Sequence, residues 1–260
     1  MCLLVFAWMN HPSYRLVVAA NRDEFHDRAA APLGWWTGND RMLAGRDLRA
    51  GGTWIGVTRN GRFGAVTNFR GVQAPPVADA PSRGGLVPDY LAGDTTPGGF
   101  LENVNGAAIT YAGFNLLAGD LESLHYLSNR DAAGPRRLEP GIYGLSNHAL
   151  DTPWPRLVRA RGRFYDALVG GDPGLDEFFE ILADREPATD ATLPRSGLPP
   201  DLERAMSAPF VLHGRYGTRC STVLLAGRDG RTVAAERRFD AAGNLTGATR
   251  LEFTVDAPGA

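Results

Sequence analysis

Residues 2–24 read CLLVFAWMNHPSYRLVVAANRDE, and this stretch decides the fold. Residues 2–9 are apolar on both faces of an extended chain, with Cys2, Leu4, Phe6 and Trp8 on one side and Leu3, Val5, Ala7 and Met9 on the other. Residues 16–20 are apolar on both faces too. Between the runs lies Asn10-His11-Pro12-Ser13, a turn signal. A strand apolar on both faces belongs in the interior of a sheet that is covered on both sides. The stretch therefore predicts an antiparallel hairpin, residues 2–9 and 14–22, in the middle of such a sheet. Its second strand ends in four polar residues, Asn21-Arg22-Asp23-Glu24.

Working outward, residues 54–58 and 63–67 flank Arg59-Asn60-Gly61, where Asn-Gly favours a tight hairpin turn. Two short helices are expected within 82–104, and a hairpin over 111–118 and 121–127 around Gly119-Asp120. Residues 154–183 have helical spacing after the entry Asp151-Thr152-Pro153. Residues 186–201 are Pro-rich and read as a loop, and strands return at 219–226, 232–239 and 249–255. Strands with helices segregated between them indicate an α+β protein. Two sheets packed face to face with helices outside predict a four-layer αββα sandwich. With no internal repeat and no linker, residues 1–260 are expected to form one domain.

Composition narrows the chemistry. The net charge is −2, which supplies no field for nucleic acid or an anionic membrane. All 27 basic residues are Arg, which excludes lysine Schiff-base and P-loop chemistry. No apolar run approaches the roughly twenty residues that span a bilayer. The two cysteines, Cys2 and Cys220, are not a disulfide framework, and the apolar opening lacks the basic start and cleavage pattern of a signal peptide. A reducing, cytoplasmic setting is expected. His11, His26, His125, His148 and His213 show no metal-ligand spacing, and the Gly-rich stretches follow no phosphate-loop pattern. No metal and no cofactor are predicted; Cys220, opening an apolar strand, reads as core.

Cys2 stands apart. A hairpin turning at 10–13 brings it opposite Asn21 or Arg22, so the Asn-Arg-Asp-Glu cluster arrives beside the chain start by strand pairing alone. Which of the four shares its face depends on register. Removal of Met1, usual before a small residue, leaves a thiol and a free α-amine on one residue. An unperturbed α-amine has a pKa near roughly 8 and serves as a base close to neutral pH. Cys2 then reads as a nucleophile carrying its own base. Arg22 favours thiolate, and Asp23 is placed to orient the amine. A solvated turn with a salt bridge is the competing explanation of the four polar residues.

The combination MCLLVFAW (1–8), NRDEF (21–25), GGTW (51–54), TNFRG (67–71), SRG (82–84), GFNLL (113–117), GLSN (144–147), DTPWPR (151–156) and TRCSTVLL (218–225) resembles the NRDE family, which includes the transport and Golgi organisation protein 2 homologues. More distantly the layout is similar to the cysteine Ntn-hydrolases of the penicillin V acylase and bile salt hydrolase group. That resemblance implies an αββα sandwich and amide cleavage by an N-terminal Cys. It makes Cys2, Asp23 and Asn147 the catalytic residues, and Arg22, Asn21, Asn68, Phe69 and Arg219 the binding residues. Arg22 stands at a different spacing from the group's arginine. Asn68, Asn147 and the Phe69 amide are the expected oxyanion donors, and Arg219 is expected near the thiolate or as an ion-pair partner of Asp23. Two functions follow: a hydrolase for an amide or related acyl bond of a small-molecule substrate, or a non-catalytic carrier of a hydrophobic ligand such as acyl-CoA, lipid or haem.

Overall fold

The doubly apolar hairpin lies inside the first of two sheets. In the computed structural model, which describes residues 2–70, 80–194 and 196–256, β1 (Cys2–Trp8) pairs antiparallel with β2 (Tyr14–Phe25). Met1 and Gly71, part of the motifs above, lie outside the described residues. The chain continues through β3 (Ala30–Trp36), β4 (Asn39–Asp47), β5 (Ile55–Thr58) and β6 (Phe63–Asn68) to the helices α1 (Leu86–Ala92) and α2 (Pro97–Gly106). Next come β7 (Phe114–Gly119), β8 (Leu124–Ser128), β9 (Arg136–Arg137) and β10 (Gly141–Leu145). The helices α3 (Pro155–Val169), α4 (Leu175–Leu182) and α5 (Pro200–Ala205) precede β11 (Leu212–His213), β12 (Tyr216–Gly227), β13 (Arg231–Phe239) and β14 (Leu245–Thr254).

Both sheets have seven strands among the described residues. One runs β10-β1-β2-β12-β13-β14 with β11 on β12, and the other runs β3 through β9 in chain order. The central place of β1 and β2 explains their apolar faces. Leu4, Phe6, Trp8, Val18 and Ala20 point at the second sheet, meeting Leu43, Ile55, Phe63 and Leu117. Leu3, Val5, Ala7, Val17 and Ala19 point the other way, onto Leu157, Phe164, Phe178 and Leu182 of α3 and α4. The second sheet repeats the arrangement, its outer residues Met42, Leu116 and Leu127 packing on Val87, Tyr90 and Leu101 of α1 and α2. Each large apolar side chain so buried contributes about 1.5–3 kcal/mol. The result is the expected four-layer αββα sandwich.

The strands β3, β4 and β10 and the two-residue strands β9 and β11 were not expected from the sequence. β3 contains Pro32 and Gly34 and is irregularly registered on β4, with shifts at Ala31/Gly34 and Trp35/Trp36, so no alternation marks it. The helical stretch 154–183 divides at Gly170-Gly171, because Gly171 takes φ 141°, which ends α3 before α4 begins. Within the expected loop 186–201, Pro200 opens the short helix α5.

Candidate active site

Register settles what the hairpin left open. Cys2 pairs with Arg22, and Arg22 in turn lies opposite Cys220 of β12. The three side chains form a row on the face that looks toward the second sheet. Asn21 and Asp23 are turned to the opposite, helix-covered face.

The Asp23 carboxylate is fully buried there and paired. Its Oδ2 accepts from Arg156 Nη2 at 2.8 Å, with side-chain exposures of 0% and 2%. Its Oδ1 accepts from Thr218 Oγ1 at 2.7 Å, and its backbone carbonyl accepts from the Tyr216 hydroxyl at 2.7 Å. Thr218 reaches Asp23 because β12 carries a bulge between Thr218 and Cys220. The extra residue reverses the alternation and puts Thr218 on the helix side. Burial pushes the Tyr216 hydroxyl well up, and the nearby Asp23 charge adds to it, so Tyr216 stays a donor.

On the inner face, Arg22 donates to Asp47 Oδ2 at 2.9 Å and lies over the Trp54 ring, 4.5 Å from its centroid. Asp47 also accepts from Arg28 Nε at 2.6 Å and from the Arg49 and Ala50 amides. Burial raises the Asp47 carboxyl, but the Arg28 hydrogen bond, the Ala50 amide and the two arginine charges outweigh it, and the net shift is downward. For Cys2 the balance differs. Burial raises the thiol above its ordinary value, Asp23 adds to this, and Arg22 and a hydrogen bond from the Asp23 backbone N–H oppose it. Cys220 is raised further, first by burial and then by the buried Glu236. Arg22 favours thiolate as expected, but it is paired with Asp47 and desolvation prevails.

Cys2 opens into a cavity of about 460 Å³ at the ends of the strands. Arg22, Asp23 and Asn68 share its wall with residues not expected from the sequence, notably Asp47 and Arg83. The other expected residues are placed differently. The Asn21 amide donates to the Leu182 and Pro209 carbonyls at 2.8 and 2.9 Å and accepts from Ser221; it ties the helix layer to the sheet. The Phe69 N–H, expected as an oxyanion donor, donates to Gly113 O at 2.9 Å. Asn147 is buried behind Asn68 rather than on the cavity wall: its Nδ2 donates to Asn68 O at 3.0 Å, its Oδ1 has no hydrogen-bond partner among the described residues, and its φ is 62°. A non-Gly residue held at positive φ is costly and marks a position its surroundings constrain. Arg219 is the bulge residue and donates to the His26 carbonyl; the ion-pair partner of Asp23 is Arg156 instead. Arg156 and Arg83 sit in quoted motifs, DTPWPR and SRG, but their contacts span 133 residues in the first case, which no local spacing encodes.

Among the described residues no group of three or more His, Cys, Asp or Glu is arranged to hold a metal ion, and no helix is long and apolar enough to cross a membrane. Both cysteines are free.

Comparison with known proteins agrees with this geometry. The family model for Transport and Golgi organisation 2 matches residues 1–241. The Transport and Golgi organization protein 2 homolog of Bos taurus is 35% identical over 259 residues, covering 91% of this chain and 92% of the relative. That of Homo sapiens is 33% identical over 258 residues with the same coverage. Among solved structures, the C2A mutant of conjugated bile acid hydrolase from Clostridium perfringens superposes with a TM-score of 0.52 at 10% identity, covering 97% of this chain and 92% of that chain. This last likeness is one of fold.

Proposed function

Because this chain belongs to the Transport and Golgi organisation 2 family and has the αββα fold of the Ntn-hydrolases, we propose that it is an N-terminal-nucleophile hydrolase. Cys2 attacks an amide or related acyl bond of a small substrate. The observation that carries the reading is the convergence of Cys2, Arg22, Asp23 and Asn68 on one cavity. Residues 1–260 act as one domain, and the chain works in the cytoplasm, where its two cysteines stay reduced.

The proposed chemistry begins with removal of Met1. Attack by the thiol needs a base, and the freed α-amine of Cys2 supplies it. Asp23 follows the Cys2–Arg22 pair on the amino side of Cys2. Its carboxylate has about four acceptor sites, enough for the amine beside Arg156 and Thr218. The amine takes the thiol proton as sulfur attacks the carbonyl carbon. The Asn68 side chain donates to the oxyanion, and Asn147 positions Asn68 through its backbone. The protonated amine then gives its proton to the leaving nitrogen or oxygen, leaving a thioester on Cys2. Water, deprotonated by the same amine, cleaves the thioester, releases the acid and restores the thiol.

Intact mass gives the first test: the mature protein lacks Met1. Cys2→Ala should abolish turnover and leave folding intact, and Asn68→Ala should lower turnover about a hundredfold, as loss of one oxyanion donor does. The second reading is a non-catalytic carrier of a hydrophobic ligand such as acyl-CoA, lipid or haem. Complementation of cells lacking the protein separates the two. Full rescue by Cys2→Ala ends the hydrolase reading, and loss of rescue with retained fold supports it.

A further inference from the structure

Two motifs, GGTW at 51–54 and SRG at 82–84, take no part in the chemistry above, yet they meet at the cavity wall. A Cβ on Gly52 would lie 2.1 Å from Gly84 O, an impossible contact. The two backbones touch, and the Thr53 N–H donates to Gly84 O at 3.0 Å. Ser82 Oγ accepts from the Gly84 N–H at 3.3 Å. The single turn that carries Arg83 is therefore anchored on both sides. Arg83 is half-buried, donates Nη1 to Gly113 O at 2.8 Å and lines the cavity with Cys2.

Charge at the site does not cancel. Arg22 and Arg28 share Asp47, and Arg28 also faces Glu24 at 4.0 Å. Asp23 is answered by Arg156, which lies outside the cavity wall. Among the described residues no carboxylate is within ion-pair distance of Arg83, nor of Arg49 at the rim. Burial lowers Arg83, while the nearby Glu24 charge opposes it, and Arg83 lines the same cavity as the Cys2 sulfur. A half-buried cation with no carboxylate at ion-pair distance is stabilised when an anion arrives. A guanidinium fixed by a rigid backbone is suited to bind carboxylate or phosphate oxygens through paired N–H donors.

We propose that Arg83 is the anion subsite of this cavity, binding a carboxylate or phosphate group of a substrate whose acyl carbon lies at Cys2. The position of the acyl carbon rests on the hydrolase reading; the anion subsite itself does not. The test compares alkylation of Cys2 by anionic iodoacetate and neutral iodoacetamide, with peptide mapping to separate Cys2 from Cys220. In the unaltered protein the iodoacetate-to-iodoacetamide rate ratio at Cys2 should exceed that of a short cysteine peptide by about fivefold, the effect expected of one partly screened ion pair. Arg83→Gln should remove that excess while the iodoacetamide rate stays within about twofold, and Arg83→Lys should keep most of it. Inorganic phosphate and acetate, tried separately, should slow iodoacetamide labelling of the unaltered protein but not of Arg83→Gln, and the stronger protector identifies the anion. A peptide-like ratio in the unaltered protein, or protection that survives Arg83→Gln, overturns the proposal. Anion preference without any hydrolysis sinks the hydrolase reading alone.

Discussion

Replacing Arg156 by Met should be among the most destabilising single changes in the protein. Arg156 and Asp23 are joined at 2.8 Å with side-chain exposures of 2% and 0%. Removing the guanidinium leaves a buried carboxylate with the Thr218 hydroxyl as its remaining side-chain donor among those described above. The Pro209 carbonyl, which Arg156 also serves, keeps the Asn21 amide, so the loss is concentrated on Asp23. Breaking one side of a buried pair costs about 3–5 kcal/mol, a large share of the roughly 5–15 kcal/mol that holds a domain together. In a chain of this size that lowers Tm by about 6–20 °C. Asp23→Asn keeps an acceptor for Thr218 and removes the charge, so in the double variant neither ion is left uncompensated. Urea unfolding followed by tryptophan fluorescence and circular dichroism closes the cycle. The coupling should be about 2 kcal/mol or more, with the double variant far more stable than the sum of the singles implies. Additivity within about 0.5 kcal/mol, or a cost below about 1 kcal/mol for Arg156→Met, would refute the view that Asp23 and Arg156 are energetically coupled.

Other outcomes are expected elsewhere in the molecule. Cys2 should alkylate faster than Cys220, since both thiols are raised by burial but Cys220 also hydrogen-bonds the buried Glu236; faster labelling of Cys220 would count against the site. Gly52→Ala should cost about 1–3 kcal/mol or more, because its Cβ meets the Gly84 backbone and not a movable side chain; an unchanged Tm would show that the two loops are not in contact. Glu236 is raised chiefly by burial, so the native state holds its proton longer than the unfolded chain. Its stabilising contribution is complete below the unfolded pKa and is lost as pH rises through the raised one. Glu236→Gln should therefore gain on the native protein as pH goes from about 4 to 8, and denaturation at several pH values that shows a constant difference would exclude this.

Much of the fold was legible because burial on two faces leaves an unbroken apolar run, and β1 and β2 carry one each. The turn at 10–13 then limited the partner of Cys2 to two residues, and Arg22 is the one found. The irregular β3 was hidden, since Pro32, Gly34 and two register shifts erase its alternation. At the site, Cys2, Arg22, Asp23 and Asn68 were reachable through short-range pairing and motif. Arg156, Thr218 and Tyr216 were not, because their partner Asp23 is distant in sequence. Asn21, a binding residue by the resemblance, is turned by strand alternation toward the helices, which only register could tell.

That alternation also divides the labour proposed for the cluster. Side chains at 22 and 23 point to opposite faces of one strand. Arg22 therefore stands on the thiol's face, braced by Asp47 and Trp54. Asp23 stands on the other face, braced by Arg156 and Thr218, and addresses the sulfur through its backbone N–H. A one-residue slip would exchange the two, setting a carboxylate against the thiol and raising it further. The register is held on both sides of β2, by β1 and by β12 beyond its bulge. Pairing with Arg22 puts the Cys2 side chain on the inner face, and in the proposed mature enzyme its amino group lies in the plane of the sheet beside Asp23. The proposed nucleophile and base, both on Cys2, would thus be tuned from two layers, by Arg22 on one face and Asp23 on the other.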